Sequence, residues 1–382
     1  MIVAYDVEDL RRAEFPWAHA GECVYMNAAS TGPMPERSIA AVNAFTRERA
    51  QPHLLTFERQ FGALDQSREL IARLINAQTR DIAMSTNTGA GINLAAWGLP
   101  LGAGDEVVVS DGEFPANMYP WMAASRARGF ALHVVPMRDG LIDNNALLGA
   151  LDRPGVRVLS VSWVGANTGA MADLARLGAA CRSRGILFVV DAIQGLVGLT
   201  IDVTQTPVDM LTCGGQKWLL APWGTGFIYV RREVLPRITP QPVSWMAVRD
   251  SDDFTQLMHY DLAWRDNARR FEQVTLPYQD FVGLVASLGL IHGLGPANVA
   301  AHIHGCAEQL LVGARDLGIE TVTPMACHAG IASIRPRDAL AASNRLTAAN
   351  VIHSVREGTI RLAPHCYTNS RDIEITLKAL AS

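Results

Sequence analysis

Two residues whose types and positions could support chemistry are an acid and a lysine, each placed at the end of an apolar run or just beyond one. Asp191 falls within ILFVVDA at 186–192, and Lys217 lies in the phrase GGQKWLLAPWGTG. Ligands of open α/β sheets bind beyond the carboxyl ends of the strands, so both side chains would face that edge. A buried lysine that loses its proton can act as a nucleophile or a base, and an ionised carboxylate can keep a ring nitrogen protonated. Taken singly, each is also explained as a strand-end cap or a solvated cation.

The elements that would carry these residues form an alternating pattern. Between about residues 66 and 235, helical stretches alternate with short β-branched runs, which is typical of doubly wound α/β domains. Several of the runs are apolar on both faces, as a sheet covered by helices requires. The clearest strands are predicted at 105–111, 131–137, 157–163, 186–192 and 226–232. Beyond about residue 280, amphipathic helices and short strands predict a smaller α+β domain.

Composition excludes several classes of protein. The 382 residues are 49% apolar and 18% charged, a globular balance, and the net charge of -4 with no long basic run argues against nucleic acid as a partner. No export signal opens the chain and no stretch of about 18 residues resembles a membrane span, so a cytoplasmic protein is expected. The six cysteines form no CxxC pair and no Cys/His cluster with metal spacing, which predicts buried free thiols and no metal site.

The phrases around the acid and the lysine carry a family resemblance. Gln194 lies three residues after Asp191 in DAIQG, and Trp218 and Gly224 follow Lys217 in VDMLTCGGQKWLLAPWGTGFIYV. These phrases resemble the signature of the class V aminotransferase family, which includes cysteine desulfurases, kynureninase and isopenicillin N epimerase. The resemblance covers nearly the whole chain. It implies that pyridoxal phosphate is bound to Lys217 as a Schiff base and that Asp191 and Gln194 contact it.

The resemblance also implies an architecture. It is the α/β fold type I, with a large domain built on a mainly parallel seven-stranded sheet sandwiched by helices and a smaller α+β C-terminal domain. We place the large domain at 21–265 and form the small domain from 1–20 together with 266–382. A homodimer with shared active sites is implied as well.

Further cofactor contacts follow from matching phrases. STNTGAGINLAAWGL matches the family's phosphate loop, in which Thr88 and Gly89 open a helix, and a helix N-terminus favours an anion. Phe114 in DGEFPANMYPW falls where the family places a ring that stacks on the cofactor, as kynureninase does with an aromatic side chain. Gln216 stands where many relatives have histidine, and its amide can donate to a phosphate. Thr275 in NARRFEQVT matches the threonine that contacts the phosphate of the neighbouring subunit.

Substrate contacts are implied at both ends of the chain. Arg361 in VREGTIRLAPHCYTN matches the family's arginine that binds the substrate carboxylate, a contact suited to a planar guanidinium. The backbone at Asn27 and Ala28 in YMNAASTGPMP matches the lining of the same pocket. Trp163 in VSWVGANTG occupies a place where desulfurases use asparagine, and Asn117 could reach the cofactor or substrate from the loop of the stacking ring.

The chain departs from the desulfurase pattern in ways that bear on its reaction. The loop before Arg361 reads NVIHSVREGT and lacks the nucleophilic cysteine of desulfurases, which disfavours persulfide chemistry and points to the epimerase-like branch. Val274 replaces the usual glycine before Thr275. Trp163, Trp223 and Trp245 together predict an aromatic substrate cavity.

The sequence predicts labilisation of a Cα bond but leaves its outcome open. Aminotransferase-type chemistry on an α-amino acid is the first prediction, because it is the general activity of the family. Alternatives are β-elimination from an S-substituted cysteine by a C–S lyase, epimerisation, which would want a second base, and decarboxylation. A non-catalytic pyridoxal phosphate or ligand-binding module is the alternative from another class, and the presence of Lys217 and Asp191 argues against it.

Overall fold

The computed structural model describes residues 5–381, and within that range the chain forms twelve α-helices and thirteen strands. Helices α1 to α12 occupy, in chain order, Val7–Glu14, Pro16–His19, Glu36–Arg49, Phe57–Ile75, Thr88–Gly98, Tyr119–Arg128, Asn144–Ala150, Leu174–Arg184, Tyr278–Leu294, Pro296–Asp316, Ala339–Ala348 and Ser370–Ala381. Strands β1 to β13 occupy Val24–Tyr25, Ile82–Ser85, Glu106–Ser110, Ala131–Val135, Val156–Ser162, Leu187–Asp191, Met210–Gly214, Gly226–Val230, Glu320–Thr321, Ala332–Arg335, Val351–Ile352, Ser354–Arg356 and Thr359–Leu362.

A seven-stranded sheet forms the centre of the molecule. Its strand order is β2-β8-β7-β6-β5-β3-β4, and β8 alone runs antiparallel to its neighbours. The predicted mainly parallel sheet is therefore confirmed, and each of the five predicted strand runs overlaps a strand of it. The carboxyl ends of β3, β5, β6 and β7 meet at one edge, because these strands run parallel.

The sheet separates two apolar cores. Alternate side chains of β6 enter opposite cores, since Phe188 and Val190 belong to one cluster of buried residues and Leu187 and Val189 to the other. Helices α5 and α6 contribute to the second cluster, and α4, α8 and α9 contribute to the first. Burial on both faces explains why the strand runs are continuously apolar.

Two helices of the large domain end at glycine residues. Helix α6 is followed by Gly129 and helix α8 by Gly185, with φ of 81° and 67°, respectively. A side chain is strained in this left-handed conformation, so glycine is the residue that ends a helix there at least cost. Asp173 caps the start of α8 by accepting a hydrogen bond from the Arg176 N–H.

The C-terminal part forms a smaller α+β unit. A four-stranded antiparallel sheet with the order β12-β13-β10-β9 packs with α10, α11 and α12 around its own apolar cluster. Strand β1 pairs in parallel with β11, so Val24 and Tyr25 join strands of the C-terminal part although they lie inside the predicted large-domain range. Helix α9 packs on α3 and α4 within the large core, although it lies beyond residue 265. Segments on both sides of residue 265 therefore contribute to each of the two units.

In the described range, 5–381, no single helix has both the length and the apolarity of a membrane span. Helices α9 and α10 pass that test only as a pair, and they are bent by 82° with respect to each other.

Candidate active site

Asp191 is the last residue of β6 and points into the edge where the parallel strands end. Its side chain is 2% exposed, and its Oδ1 accepts a hydrogen bond of 2.9 Å from the Ile193 N–H. Burial raises the pKa of Asp191 to about 6, against the opposing effects of that hydrogen bond and of the Lys217 charge. A cation next to Asp191 would therefore stabilise its ionised form.

Lys217 lies in the loop after β7, with its amine close to Phe114. The Lys217 Nζ atom is 5.5 Å from the centre of the Phe114 ring, and Phe114 keeps 50% of its surface exposed. Burial lowers the pKa of Lys217 to about 8, the charge of Asp191 opposes this shift, and Arg361 adds to it. An amine with this pKa is partly neutral near physiological pH, as a nucleophile or a general base requires.

The N-terminal segment 27–32 fastens the lysine loop. The Gly32 N–H donates to the Gln216 carbonyl at 2.8 Å, and a Cβ added to Gly32 would lie 1.9 Å from the Lys217 carbonyl oxygen. Gln194 links the same two segments, because its Nε2 donates to the Ala29 carbonyl at 3.0 Å and its Oε1 accepts from the Trp218 indole at 2.9 Å. The structure thus places Gln194 as a buried support, with one N–H left for a ligand.

The predicted phosphate loop begins helix α5 beside the end of β7. Asn87 caps the helix by accepting from the Ala90 N–H at 3.0 Å, and Thr88 is its first residue. The Thr88 hydroxyl accepts from the Gly214 N–H at 2.9 Å, and the Gln216 amide oxygen is also adjacent, 2.5 Å from where a Gly214 Cβ would lie. Thr88 and Gln216 therefore share one corner of the site. A helix N-terminus at that corner offers N–H groups to an anion.

Arg361 in β13 supplies a buried cation across the site. Its guanidinium donates to the Ala166 carbonyl at 2.7 Å and to the Ser30 hydroxyl at 2.6 Å, and it is 3% exposed. Burial lowers the pKa of Arg361 to about 10, and the neighbouring charge of Arg356 adds to this shift. An anion would relieve the cost of burying this cation.

Asn27 and Ala28 reach Arg361 through strand pairing. Asn27 forms a bridge with Ala363, and the Ala28 N–H donates to the Ala363 carbonyl at 3.1 Å. Since Ala363 follows β13 directly, this pairing brings both predicted carboxylate-pocket residues next to the arginine strand.

Three buried polar atoms around the site have no protein partner within residues 5–381. They are the amide oxygens of Asn27 and Gln216 and the Nε of Arg361. Buried polar groups are normally hydrogen-bonded, so unpartnered ones indicate a polar ligand. The amine, the carboxylate, the exposed aromatic ring and the helix N-terminus together fit pyridoxal phosphate.

Glu113 is a site residue that the sequence interpretation missed. Its carboxyl group accepts hydrogen bonds from the Ser162 N–H at 2.7 Å, from the Asn117 Nδ2 at 2.9 Å and from the Ser162 hydroxyl. Burial raises the pKa of Glu113 to about 7, and the charge of Asp191 adds to the effect. An acid directly before the predicted stacking ring was the available sequence signal.

Two predicted substrate contacts are buried side chains. Asn117 is fully buried, and its amide donates to Glu113 and accepts from the Ser160 hydroxyl at 2.7 Å, so it supports the loop from behind. Trp163 is 7% exposed and belongs to the apolar core, where its ring covers Gly195 so closely that a Cβ there would lie 2.7 Å away. Both side chains are buried within the single chain, and their contact with cofactor or substrate remains a prediction.

The other two predicted aromatic residues are exposed on the single chain. Trp223 is 71% exposed, and Trp245 is 45% exposed and packs against Phe254 with ring centres 5.8 Å apart. Thr275 is exposed on the single chain, so its contact with a neighbouring subunit remains a prediction.

The cavity beside the site has a volume of about 580 Å³ and lies between the sheet edge and the smaller unit. Glu113, Phe114 and Ala166 line it from the large domain, and Arg356 lines it from β12. Because Ala166 also accepts from Arg361, the cavity adjoins the arginine, with Phe114 on its border.

The cysteines are mostly enclosed. Four of the six are buried, and Cys23 and Cys327 are partly exposed. Burial raises the pKa of Cys213 and of Cys366, the thiols nearest in sequence to Lys217 and Arg361. A thiol in such surroundings is held in its unreactive protonated form.

Comparison with known proteins places this geometry in a family. A family model described as aminotransferase class-V matches residues 24–364. A probable cysteine desulfurase of Methanothermobacter thermautotrophicus is 30% identical over 311 residues, which cover 79% of this chain and 74% of that protein. The isopenicillin N epimerase of Streptomyces clavuligerus is 32% identical over 226 residues, covering 58% of this chain and 57% of that protein.

A solved structure shows the same fold. It is the complex of the cystine C–S lyase C-DES with its reaction product cysteine persulfide, which superposes with a TM-score of 0.86 at 23% identity and covers 96% of this chain and 99% of that one. The match of the family model over most of the chain shows the family to which the chain belongs. The chain is an enzyme of the class V aminotransferase family, for which pyridoxal phosphate is the typical cofactor.

Proposed function

We propose that this enzyme removes the Cα proton of an α-amino acid and then eliminates a sulfur substituent from Cβ. The observation that supports this most is the position of Lys217, a partly neutral, half-buried amine near the buried acid Asp191, the buried cation Arg361 and the exposed ring of Phe114. When bound, pyridoxal phosphate supplies an electron sink for the pair of electrons left at Cα.

The cofactor would be held at four points. Lys217 would carry it, and Asp191 would keep the ring nitrogen protonated, since the cation offsets the cost of burying the carboxylate. Phe114 would cover one face of the ring without exchanging protons. Thr88 and Gln216 would donate to the phosphate, with Gly89 allowing close backbone approach at the start of α5.

Arg361 would orient the substrate. Its guanidinium already has two fixed partners, Ala166 and Ser30, which set its plane, while its Nε lacks a protein partner in the described range. A carboxylate bound there would satisfy the buried cation, and the backbone at Asn27 and Ala28 would line the same pocket. Lys217 could then reach the Cα proton from one face.

Elimination fits the surroundings better than two other outcomes. Epimerisation needs a second base on the opposite face, and Phe114 is the residue proposed for that face. Persulfide formation needs a reactive thiol, and the loop before Arg361 contains none. Lys217 would instead return its proton to the sulfur that leaves Cβ with the bonding electrons, and the adjoining cavity has room for that group.

The names of similar proteins support cleavage of a carbon–sulfur bond. A probable cysteine desulfurase shares 30% identity, and a cystine C–S lyase shares the fold. Transamination, the first prediction from the sequence, is the second candidate. It is favoured by the single amine of Lys217, because one base on one face can move a proton from Cα to the cofactor.

The chain has two lysines, Lys217 and Lys378, so the lysine that binds the cofactor can be identified directly. The purified enzyme is loaded with pyridoxal phosphate, reduced with borohydride and digested, and the labelled peptide is identified by mass spectrometry. We expect the label on Lys217, and Lys378→Ala is the matched control that keeps it. Failure to take up the cofactor would contradict the proposal and favour a non-catalytic binding module for another ligand.

The reaction is tested with S-substituted cysteines and the matching unsubstituted amino acids. Elimination predicts pyruvate, ammonia and one thiol for each substrate consumed, with the visible band of the lysine-bound cofactor restored afterwards. A lasting loss of that band with an oxo acid as product would establish transamination instead.

A further inference from the structure

Glu113 is a half-buried acid at the site to which the proposed reaction gives no role. Three donors converge on its carboxyl group, two from Ser162 and one from Asn117. Converging donors fix the position of a carboxylate, because each additional bond restricts its rotation.

We propose that Glu113 is a positioning residue for the bound cofactor. Its carboxylate fastens the loop of Phe114 to the end of β5, and its negative charge adds to that of Asp191 where the ring nitrogen would lie. This inference rests on the proposed attachment of pyridoxal phosphate at Lys217.

The mechanical part follows from the loop contacts. Phe114 follows Glu113 directly and is 50% exposed, so packing alone does little to fix its ring. Two anchors tie the loop to β5, namely Glu113 to Ser162 and the buried Asn117 to Ser160. Phe114 lies between these anchors in the chain, so the anchors set where its ring can be.

The electrostatic part follows from strand register. Ser162, which binds Glu113, pairs with Asp191 between β5 and β6. The two carboxyl groups are near enough for the charge of Asp191 to raise the pKa of Glu113. Two carboxylates that repel each other both gain from one neighbouring cation, and a protonated ring nitrogen is such a cation.

Other charged groups face the same cavity. Asp111 lies in the same loop, with an exposed side chain that accepts from the Gly112 N–H, and Arg356 faces the loop from β12. The rest of the charged lining consists of Asp139, Glu320, Arg335 and Glu357. Asp111 is a matched control, because its charge is two residues from Glu113 but has no contact with β5 among the hydrogen bonds described.

The test compares wild type, Glu113→Gln, Asp111→Asn and Ser162→Ala, each loaded with pyridoxal phosphate. Absorbance and circular dichroism of the visible band are followed against pH. Glu113→Gln removes the charge and replaces one acceptor oxygen by an N–H donor, so it also weakens the contacts with Ser162 and Asn117. We expect it to lower the apparent pKa of the spectral transition by about 0.5–1 unit, since a cationic cofactor loses a neighbouring anion. Asp111→Asn should shift it by less than about 0.2 unit because exposed charges are screened.

Ser162→Ala separates the two parts of the proposal. It keeps the charge of Glu113 and loosens one anchor, so we expect a weaker circular dichroism band with a smaller change in the transition pKa. A purely structural role for Glu113 predicts that Glu113→Gln destabilises the apoenzyme and leaves the transition pKa of the loaded enzyme unchanged. Our proposal predicts that this transition pKa falls as well, because the negative charge near the cofactor has been removed.

Two results would overturn the inference. One is a Glu113→Gln enzyme whose titration matches wild type, and the other is an Asp111→Asn enzyme that shifts as much as Glu113→Gln. Failure of wild type to take up pyridoxal phosphate would defeat the proposed cofactor attachment and the inference with it. Uptake by wild type with an unchanged Glu113→Gln titration would defeat the inference alone.

Discussion

Two regions of the molecule lie outside regular strands. One is the carboxyl edge of the central sheet, and the other is residues 243–262, which we call the apolar segment. At the sheet edge, buried polar contacts hold each functional side chain, as with Asp191, which is 2% exposed. In the apolar segment, large apolar side chains are 44–90% exposed, namely Val243, Trp245, Phe254, Met258, Tyr260 and Leu262. The side chains of the first region are held by contacts within one chain, whereas the second region presents an uncovered face.

The apolar segment is nevertheless held in a defined shape. The Arg265 guanidinium donates to the Met246 carbonyl at 2.7 Å, to the Ser251 hydroxyl at 2.7 Å and to the Asp252 carboxylate at 2.8 Å. A buried arginine with these partners fixes the base of the segment and leaves the apolar side chains outward. Exposed apolar patches of this kind mark interaction sites, and we propose that a second copy of the chain covers this one.

The largest effect is expected at the sheet edge, from Lys217→Ala. Loss of the amine removes both the cofactor attachment and the proposed base, so turnover should fall by at least about 10³-fold. Steady-state assays with the best substrate measure this loss, and Lys378→Ala serves as the control. Turnover of Lys217→Ala within tenfold of wild type would assign the proton transfer to another group.

Arg361→Lys should have the next largest effect. Lysine keeps the charge but cannot form the paired hydrogen bonds of a guanidinium, so kcat/KM should fall about 10- to 100-fold, mostly through KM. Arg184→Lys is the control, because Arg184 is paired with Asp152 at 2.9 Å and does not line the cavity beside the site. Equal effects of the two changes would argue against a carboxylate contact at Arg361.

The apolar segment is tested by a double change, Met258→Ser with Leu262→Ser. If a second copy covers these side chains, each loses about 1.5–3 kcal/mol of burial, and the dimer should dissociate at least about tenfold more readily. Light scattering across a dilution series measures the dissociation constant. Leu340→Ser is the control, since Leu340 is 72% exposed on α11, outside the segment.

A dimer with unchanged dissociation in the double variant would place the interface elsewhere. In that case, a dimer formed through the apolar segment would no longer explain how the exposed Thr275 contacts the cofactor of a second chain.

The sequence alone predicts the sheet and the residues that follow its strands. Asp191 and Lys217 were found because strand runs have a clear apolar pattern and ligand sites lie at their carboxyl ends. Trp163 directly follows β5, and Asn117 lies in the loop after β3, but their positions in the sequence do not predict how deeply each side chain is buried. That burial depends on neighbours such as Gly195 and Ser160, which are distant in sequence.

Long-range pairing explains what sequence patterns do not predict. Strand β1 is two residues long, too short for any pattern, yet it pairs with β11 and brings Asn27 to the strand of Arg361. Glu113 was overlooked because its role depends on Ser162, a partner that only the parallel register of β3 and β5 brings close.

The fit of segment 27–32 against the lysine loop predicts a smaller effect of Gly32→Ala. The added methyl group would collide with the Lys217 carbonyl oxygen, so we expect a loss of about 1–3 kcal/mol in unfolding free energy and weaker cofactor binding. Gly62→Ala in α4 is the control, since a Cβ there meets no atom within 4 Å and alanine favours a helix. A Gly32→Ala enzyme as stable as wild type would show that the segment moves freely.

The smallest effect concerns the apoenzyme and its dependence on pH. Because burial raises the pKa of Asp191 to about 6, the folded chain binds this proton more tightly than the unfolded chain does. The unfolding free energy contributed by Asp191 is then present in full below its ordinary pKa near 4 and is lost as pH rises to about 6. Asp191→Asn should therefore reduce the fall in unfolding free energy between these pH values by about 1–2 kcal/mol, as measured by urea unfolding at a series of pH values.

Glu113→Gln should reduce the fall in unfolding free energy at higher pH, near 7, because burial raises the pKa of Glu113 further. If the profiles of both variants run parallel to that of wild type, water enters the sheet edge of the apoenzyme, and the two carboxyl groups are less shielded from solvent than their contacts indicate.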